Sequence, residues 1–542
     1  MNAGPVAAVD RSTQIELRTF PGPNVFAPFA AVVAEFAIPP ADERVEDATF
    51  PEVICAQLPD SVAARFRTQA CGAAFEALVA GLAQALQDWH GPNDLPCEVN
   101  LTRSGRGLIC LGYHDERATA QALRLGYQLA LAVAFSDKGE PAAQARVVAE
   151  LTQFGAAIKT RQPTEVEHAM ILGARERAIP FYRVVPGLLQ YGQGKYGRHF
   201  LGVSSQRDSA TGSFVQANKT LSNALIQRLG LPGVEHGMAD TLDNAVRLAG
   251  QFGYPLAVKS VDDPNGQGVT AQVTSEGELA AAFATANAVS PGRVVIERFV
   301  EGEDHRLEAI CGKFVRGLLR SPPYSIANAS AGGTWACVTE TVHPDNRKMV
   351  ETIARCFRLD TIRISFITPD IAKSWRDVRC AVTEVNSRPA ITAIDEIRTI
   401  FEGTFDDTCT GRIPSAIVLS AQPAKVEEAL PGLQRDGLIM GFVDRRSVSL
   451  GGEPRVVDHV RLAERVRAVL LDPTCEALVV ACTPEEIIHQ GLPLDRFDLC
   501  VIEPQTNLWE RLRSLLNQCS KRIVENVPAE AALMRWLNDE IG

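Results

Sequence analysis

The sequence lacks the features that would carry a protein into or across a membrane. No apolar run approaches the roughly 20 residues that a membrane-spanning helix needs. The first residues also lack the basic and then apolar layout of a secretory signal peptide. These two absences predict a cytoplasmic protein without a membrane partner.

Closely spaced cysteine pairs are also missing. The chain has 13 cysteines, an odd number, and none of them forms a Cys-x-x-Cys pair. This pattern predicts neither a disulfide framework nor a zinc site. We expect most of the cysteines to be buried small hydrophobic residues.

Positive charge is in deficit. The chain has 54 Lys plus Arg against 65 Asp plus Glu, for a formal net charge of -11. An acidic balance without interleaved aromatic and basic residues argues against nucleic acid as a partner. A local basic pocket is still compatible with this composition.

What the sequence does contain is typical of a large folded protein. Hydrophobic residues make up 46% and charged residues 22% of 542 positions. This balance excludes disordered and fibrous classes, and the length predicts roughly three or four domains. Neither an internal repeat nor a low-complexity tract is present.

The first region has the pattern of a small α+β domain. A strand is predicted at Ile15–Phe20, helices at 75–89 and 120–135, and a further strand at 107–113. A linker at 136–141 and a helix at 143–154 follow.

The central region alternates between helical and extended patterns. A helix is predicted at 219–229, with Leu221, Ala224, Leu225 and Leu229 on its apolar face. A buried strand at 256–259 and a loop at 262–268 come next.

Farther along, Ser275 and Glu278 form a capping-box pattern for a helix to about 288, before a strand at 294–299. A hairpin at 305–320, turning at Gly312-Lys313, completes a pattern typical of compact α/β nucleotide-binding folds.

The remaining elements divide into two groups. A helix at 347–357 and strands at 361–368 and 380–385 bring acidic and amide residues together. The last part contains strands at 415–419, 477–481 and 499–502 and a helix at 462–471, which indicates a separate α/β unit.

Two lysines are candidates for phosphate binding. Lys219 and Lys259 are separated by a helix and a turn, and Lys259 ends an apolar strand just before a glycine-containing loop. Gly266 and Gly268 would let backbone N–H groups approach phosphate oxygens without interference from a Cβ. Taken alone, each lysine is more simply a solvated residue beside an ordinary turn.

The strand at 294–300 and the segment after it suggest a nucleotide slot. Together they offer backbone donors and acceptors for an adenine edge, and carboxylates for ribose hydroxyls. Taken alone, Glu297 and Asp304 are more often solvated charges, and His305 a hydrogen-bonded structural histidine.

Glu384 and Asn386 are candidate metal ligands. They lie on one face of a strand because side chains alternate with period two. A carboxylate and an amide oxygen suit Mg²⁺, which often bridges protein carboxylates and substrate phosphates. A polar pair at a strand edge without a metal is the alternative.

In this order, the motifs resemble the ATP-grasp superfamily, and more closely the cyanophycin synthetases, from about residue 160 to 415. The resembling stretches are 189–196 (LQYGQGKY), 218–219 (NK), 253–259 (GYPLAVK), 295–299 (VIERF), 302–306 (GEDHR), 331–334 (AGGT), 343–346 (HPDN), 367–371 (ITPDI) and 384–386 (EVN).

The resemblance implies an α/β multidomain architecture. It places a small N-terminal α+β domain at 12–160, an ATP-grasp domain at 161–415, and a degenerate remnant of a Mur-ligase-like α/β domain at 416–542. A packing or dimerisation role for that remnant predicts a homo-oligomer. An unrelated small α/β domain is the alternative for this last part.

The resemblance also implies a chemistry. ATP would phosphorylate a carboxylate, and an amine would attack the acyl phosphate to give an amide, ADP and phosphate. The substrates would be an amino acid, such as aspartate as amine donor, or a short peptide. The implied cofactors are ATP and Mg²⁺.

The implied site residues fall into four groups by role. Phosphates would contact Lys219, Lys259, Gly266 and Gly268; adenine would contact Glu297, Arg298, Phe299 and Val300; and the ribose would contact Asp304. Arg306 and Arg320 would bind the charged phosphoryl or carboxylate group. Glu384 and Asn386 would bind Mg²⁺.

Three departures from the family pattern bear on this function. Ser365 stands where ATP-grasp enzymes usually have an acidic metal ligand, and a hydroxyl is a poorer Mg²⁺ ligand. The family's long insertion is replaced by a short crossing at 321–330, which disfavours a processive polymer substrate. No glycine follows the strand at 415–419 to hold a phosphate.

These departures keep a second interpretation open. The protein could instead be a catalytically impaired nucleotide-binding pseudoenzyme that regulates or scaffolds a partner.

Overall fold

The computed structural model describes residues 15–38, 55–56, 58–69, 74–91, 94–135, 141–261, 268–321, 334–406, 408–433, 437–458 and 461–540. The chain packs into two units. Unit 1 comprises Met1–His168, Gly192–Gly197 and Gly411–Gly542, and unit 2 comprises Ala169–Tyr191 and Arg198–Thr410. The division into three domains along the chain stays a prediction.

The N-terminal part of unit 1 is an antiparallel sheet covered by helices. Its strand order is β1-β2-β4-β3. The elements are β1 (Ile15–Phe20), β2 (Ala31–Phe36), α1 (Asp60–Gln69), α2 (Phe75–Gln87), β3 (Cys97–Leu101), β4 (Gly107–Gly112), α3 (Glu116–Phe135) and α4 (Pro141–Arg161).

The mainly aliphatic core of this part contains an aromatic cluster. The rings of Phe36, Phe75 and Tyr127 pack against one another with centroids 5.1–6.2 Å apart. The strands and helices predicted here are confirmed with small shifts of their ends. The predicted linker lies mostly outside the described residues.

The chain enters unit 2 along α5 (Glu165–Glu176) and then forms a small antiparallel sheet. The strands are β5 (Phe181–Val185), β6 (Leu188–Tyr191), β7 (Arg198–Leu201) and β8 (Ser204–Ser205), in that spatial order.

The glycine-containing segment at 192–197, between β6 and β7, belongs to unit 1. The amide of Gln193 donates to the carbonyl of Gly411 at 2.8 Å, and the amide of Lys195 to that of Cys475 at 2.9 Å. A Cβ on Gly194 would lie 2.2 Å from the Cys475 oxygen, so only glycine fits there. The segment therefore packs on protein carbonyls.

The next part of unit 2 is a four-stranded antiparallel sheet in the order β11-β10-β12-β9, covered on one face by helices. The elements are α6 (Ala210–Ala217), α7 (Lys219–Arg228), β9 (His236–Ala239), α8 (Leu242–Phe252), β10 (Leu256–Ser260), β11 (Thr270–Val273), α9 (Glu276–Val289) and β12 (Val294–Arg298).

One face of this sheet forms a hydrophobic core with α8 and α9. Leu256, Val258 and Ile296 are fully buried in it. The alternate residues, among them Lys259 and Glu297, lie on the opposite face, since side chains alternate along a strand. This opposite face is the one that carries the predicted nucleotide residues.

Two local predictions for these helices need correction. In α7 the buried residues are Ser222 and Ile226, whereas Leu221 is 42% exposed, because the helix packs on the strand that carries Glu384. At α9, Ser275 caps the helix as predicted, but Glu278 accepts from the amide and hydroxyl of Thr274.

The large sheet of unit 2 has the order β15-β14-β13-β16-β17 and is antiparallel throughout. The elements are β13 (Glu303–Ile310), β14 (Lys313–Ser321), β15 (Thr334–Cys337), α10 (Pro344–Phe357), β16 (Ile362–Thr368), β17 (Ala381–Asn386) and α11 (Ile394–Glu402). The predicted hairpin and both later strands are confirmed.

The two faces of this sheet differ in chemistry. One face buries Leu307, Ile364 and Phe366 against α10. The other carries acidic and basic side chains at alternate positions of β13, β14, β16 and β17. The charged face holds the remaining predicted site residues.

The C-terminal part of unit 1 is a seven-stranded sheet, ordered β21-β20-β19-β22-β18-β23-β24. The elements are β18 (Ser415–Leu419), α12 (Ala424–Leu433), β19 (Met440–Val443), β20 (Val448–Leu450), β21 (Glu453–Pro454), α13 (Leu462–Leu470), β22 (Ala477–Cys482), α14 (Pro484–Gln490), β23 (Phe497–Ile502), α15 (Glu510–Cys519), β24 (Ser520–Glu525) and α16 (Ala529–Glu540).

Its central strands are parallel and buried, which explains their continuous apolar sequences. This part packs against the N-terminal part within unit 1. The amide of Leu492 donates to the carbonyl of Pro23 at 2.7 Å, and Arg461 pairs with Glu116 at 2.7 Å. The α/β pattern was predicted correctly, whereas this packing was not predicted.

The prediction that most cysteines are buried was too strong. Of the 12 described cysteines, six are buried, four are half-buried and two are exposed. Burial raises the pKa of the Cys97, Cys110 and Cys500 thiols to about 12. Across the described residues, no helix is long and apolar enough to cross a bilayer.

Candidate nucleotide and phosphoryl-transfer site

A cavity of about 400 Å³ opens in unit 2, on the face of the β11-β10-β12-β9 sheet that is not covered by α8 and α9. It is lined by the start of α7, by β9, β10 and β12, and by Thr383 of β17. Lys219, Lys259 and Glu297 all line it. The structure thus brings together both predicted phosphate lysines and one predicted adenine residue.

The two lysines differ in their surroundings. Lys259 is partly buried, and its ammonium pairs with the Glu297 carboxylate. Lys219 is exposed at the first position of α7, where the Asn218 side chain caps the helix by accepting from the amide of Leu221. Within the described residues Lys219 has no ion pair. An entering polyanion would meet one free and one neutralised lysine.

The segment predicted to contact adenine needs a correction. The amide of Arg298 donates to the carbonyl of Glu235 at 2.8 Å, and that of Phe299 to Pro255 at 3.0 Å. These two donors are therefore occupied by the protein. The guanidinium of Arg298 also pairs with Glu235 at 2.8 Å. Val300 lies beyond the paired strand β12.

Of the two predicted loop glycines, Gly266 lies outside the described residues. Gly268 is described, and a Cβ there would come within 2.5 Å of the Ser260 hydroxyl, which makes it a close-packing position beside Lys259.

A second small cavity extends from Lys219 to Glu384, one of the two metal candidates. Lys219, Thr383 and Glu384 line its walls. Lys219 also lines the larger cavity. A bound polyphosphate could therefore reach from the sheet that contains β10 to β17.

On the charged face of the large sheet, cross-strand neighbours form rows. The open row consists of Arg306 on β13, Ser365 on β16 and Glu384 on β17, which lie directly opposite one another in turn. Arg306 and Glu384 have no ion pair among the described residues. A neutral hydroxyl thus separates an available cation from an available carboxylate.

The closed row lies two residues farther along the same strands. Glu308 is fully buried, and the Arg363 side chain opposite it donates from Nε to its carboxylate at 2.6 Å. Beside them, Arg316 pairs with Glu396. Each charge in this row already has a partner within the protein.

On the other side of the open row lie Asp304 and Arg320, both predicted site residues. Arg320 is 7% exposed and lies opposite Trp335 on β15. Burial raises the pKa of the Asp304 carboxyl, while the charges of Arg306 and Arg320 act in the opposite direction. Asp304, Arg306 and Glu384 are close enough to influence one another.

The donor set on β17 fits one divalent cation. Glu384 and Asn386 are both exposed on the same face, as predicted. The Asn386 amide oxygen accepts from the amide of Arg388 at 2.9 Å and retains a second lone pair for a metal. The described residues contain no cluster of three or more His, Cys, Asp or Glu side chains that could hold a metal ion.

The two histidines near the site differ in position. His305 is fully buried beneath the sheet, and burial lowers its pKa, in keeping with the structural role considered for it. His236 lines the larger cavity, contacts the Asn223 side chain and was not predicted.

Three further residues of the charged face were also missed. Trp335 stacks on Arg306, with the guanidinium carbon 3.9 Å from the ring centroid. Glu308 and Arg363 pair although they are 55 positions apart. The period-two alternation of β13 and β16 could have placed Glu308 and Arg363 on the charged face, but not in contact.

Two backbone amides of the loop after β18 are occupied by contacts within the protein. The amide of Ser420 donates to the carbonyl of Cys482, and the amide of Gln422 donates to the Ser420 hydroxyl. These contacts are in keeping with the lack of glycine in this loop.

Known proteins with sequences similar to this chain belong to the family that the motifs resemble. The family model for the carbamoyl-phosphate synthase L chain ATP-binding domain matches residues 218–309. Cyanophycin synthetase of Crocosphaera subtropica is 22% identical over 412 residues, which cover 61% of this chain and 47% of that protein. Cyanophycin synthetase of a Synechocystis species is 22% identical over 470 residues, 72% of this chain and 53% of that protein.

Among solved structures, a bifunctional glutathione synthetase from Pasteurella multocida matches 69% of this chain and 82% of its own, at 11% identity and a TM-score of 0.37. The chain spans about half the length of the cyanophycin synthetases that it matches. The resemblance to these ATP-grasp ligases and the central ATP-grasp fold, both predicted from the motifs, are confirmed.

Proposed function

We propose that the protein is an ATP-dependent carboxylate–amine ligase that forms an amide or peptide bond. The observation that carries this proposal is the continuous arrangement of Lys219, Lys259, Arg306 and Glu384 along two adjoining cavities and the charged sheet face. The relatives, which are ligases of this class, support it.

In the proposed reaction, a substrate carboxylate oxygen attacks the γ-phosphorus of ATP, and the bond to the β-phosphate oxygen breaks to release ADP. The amine nitrogen then attacks the carbonyl carbon of the acyl phosphate. Its C–O bond to phosphate breaks as the C–N bond forms, and the nitrogen loses a proton. The products are an amide, ADP and inorganic phosphate.

The chain's own residues would bind and orient these groups. Lys219 and Lys259 would hold the triphosphate, and the segment 297–300 would contact adenine. Asp304 would contact the ribose. Arg306 and Arg320 would stabilise charge on the phosphoryl group and on the substrate carboxylate.

Glu384 and Asn386 would hold Mg²⁺, which offsets phosphate charge when bound. For the substrates, we propose an amino acid such as aspartate as amine donor, joined to a small acidic acceptor. The short connection between Ser321 and Thr334 favours a small acceptor over a processive polymer.

The test is ADP release with ATP, Mg²⁺ and pools of amino acids and short acidic peptides. Release should depend on both a carboxylate and an amine. With ¹⁸O in the acceptor carboxylate, one labelled oxygen should appear in the released phosphate, because the acyl C–O bond breaks. Phosphate without label would exclude the acyl-phosphate route.

Lys259→Met should abolish amide formation, since it removes a phosphate contact. Lys313→Ala is the matched control. It removes an exposed lysine at the hairpin end, seven residues along β14 from Arg320 and about 20 Å away. Unchanged turnover in Lys259→Met would contradict the assignment.

Ser365 supports a second candidate, a nucleotide-binding pseudoenzyme. In this case ATP would bind without ADP release under any substrate pool, and Ser365→Asp would restore turnover by adding an acidic ligand beside Glu384.

A further inference from the structure

The open row places an available cation opposite a neutral residue. Arg306 lies directly across from Ser365, and Ser365 lies directly across from Glu384. With neighbouring strands roughly 4.8 Å apart, the backbones at Arg306 and Glu384 are about 10 Å apart.

Arg306 is held in place by an aromatic ring. Its guanidinium carbon lies 3.9 Å from the centroid of Trp335, so the two groups are close enough to stack. A stacked guanidinium is restrained, while its N–H donors, which lie in the guanidinium plane, stay available to an anion. Trp335 itself is on β15, one strand beyond β14.

The metal donors at this row are few. Glu384 supplies the one carboxylate of the open row, and Asn386 supplies an amide oxygen. Two divalent cations close together usually need bridging or paired acidic ligands. One carboxylate and one amide suit a single cation, whereas a triphosphate has more negative charge than one divalent cation can neutralise.

We propose that the site holds one divalent cation, at Glu384 and Asn386, and that Arg306 supplies the positive charge that a second cation would otherwise bring. Trp335 is the positioning residue for Arg306. This inference rests on the proposed function, because it concerns the same triphosphate and the same row of side chains.

The first test counts cations. The whole protein is titrated with Mn²⁺ at a saturating concentration of a non-hydrolysable ATP analogue, and free Mn²⁺ is measured by electron paramagnetic resonance. We expect one protein-dependent Mn²⁺ for each bound analogue, weakened in Glu384→Gln. Two Mn²⁺ for each analogue would overturn the inference.

The second test asks whether Trp335 affects nucleotide binding by positioning Arg306. Trp335→Leu should weaken analogue binding by about 2- to 25-fold, the range of a cation–π contact. Trp335→Phe, which keeps an aromatic face, should retain most of the affinity. The matched control is Trp375→Phe, because Trp375 stacks on Arg376 at 4.5 Å elsewhere in unit 2; it should bind as the wild type does.

A double-mutant cycle separates positioning from a general structural effect. In an Arg306→Gln background, Trp335→Leu should cause no further loss of affinity, since its partner is already gone. Additive losses would show that Trp335 acts independently of Arg306, and would overturn its assignment.

The outcomes distinguish this inference from the function on which it rests. If the wild type binds no nucleotide with Mn²⁺, the proposed function fails and the inference fails with it. If nucleotide binds with two Mn²⁺, or if Arg306→Gln binds it as tightly as the wild type, the inference alone is overturned.

Discussion

The open row and the closed row lie side by side on one sheet face but hold their charges differently. In the closed row, Glu308 and Arg363 face each other across β13 and β16 and are paired. In the open row the same two strands place Arg306 opposite Ser365, and Arg306 stays unpaired in the described part of the chain. One neutral residue therefore decides which charges are available to a ligand.

The largest expected effect comes from breaking the closed row. Arg363→Gln would leave the fully buried Glu308 carboxylate without its cationic partner. We expect the free energy of unfolding to fall by about 3–5 kcal/mol, measured by urea denaturation. Replacing both residues, as Glu308→Leu with Arg363→Met, should recover much of this loss. A fall below about 1 kcal/mol in the single variant would mean that the pair is not structural.

Removing the cation of the open row should lower activity and leave stability nearly unchanged. Arg306→Gln should lower kcat/KM by about 10²- to 10³-fold, the usual effect of losing one preorganised charge-stabilising donor. Its free energy of unfolding should stay within about 0.5 kcal/mol of the wild type. Arg355→Gln, at an exposed position of α10, is the control and should change neither quantity. A stability loss like that of Arg363→Gln would erase the distinction between the rows.

Ser365→Asp should convert the open row into a closed one. By analogy with Glu308 and Arg363 on the same strands, the new carboxylate should pair with Arg306 and withdraw it from phosphate. We expect the affinity for an ATP analogue to fall about tenfold, or about 1.4 kcal/mol, by calorimetry. Ser365→Asn, of similar size but neutral, should bind as the wild type. A gain of affinity and turnover in Ser365→Asp would instead favour the pseudoenzyme.

The smallest effect concerns Asp304, beside the open row. Burial raises its pKa above the ordinary value of 3.8, so the folded state holds this proton more tightly than the unfolded state. Its contribution to stability should therefore fall as the pH rises from 3.8 through the folded-state pKa. Asp304→Asn should remove that fall. The free energy of unfolding of the variant, measured in urea, should therefore rise relative to that of the wild type as the pH rises. A constant difference across this range would contradict the raised pKa.

Alternation along strands explains what the sequence could predict. Glu384 and Asn386 were placed on one face because they are two residues apart, and the hairpin was found from its turn at Gly312. The lysines were predicted because a helix and a turn separate them and because Lys259 ends an apolar strand just before a glycine-containing loop. Local patterns of this kind need no knowledge of distant neighbours.

Register and packing explain what could not be predicted. The Glu308–Arg363 pair and the Trp335–Arg306 stack depend on which strands become neighbours and at which offset. The apolar face of α7 was predicted only in part: Leu225 packs against the core, whereas Ser222 is buried by contact with β17 and Leu221 points outward. The occupied amides of Arg298 and Phe299 also depend on tertiary neighbours, Glu235 and Pro255.

The ion pair between Lys259 and Glu297 has a consequence for ionic strength. A triphosphate that binds Lys259 must first separate it from Glu297, so one attraction replaces another. Added salt weakens both interactions, and their effects on binding partly cancel. The affinity for ATP should therefore decline less steeply with salt than the number of cationic side chains around the cavity implies, with Lys219 and Arg306 setting most of the slope.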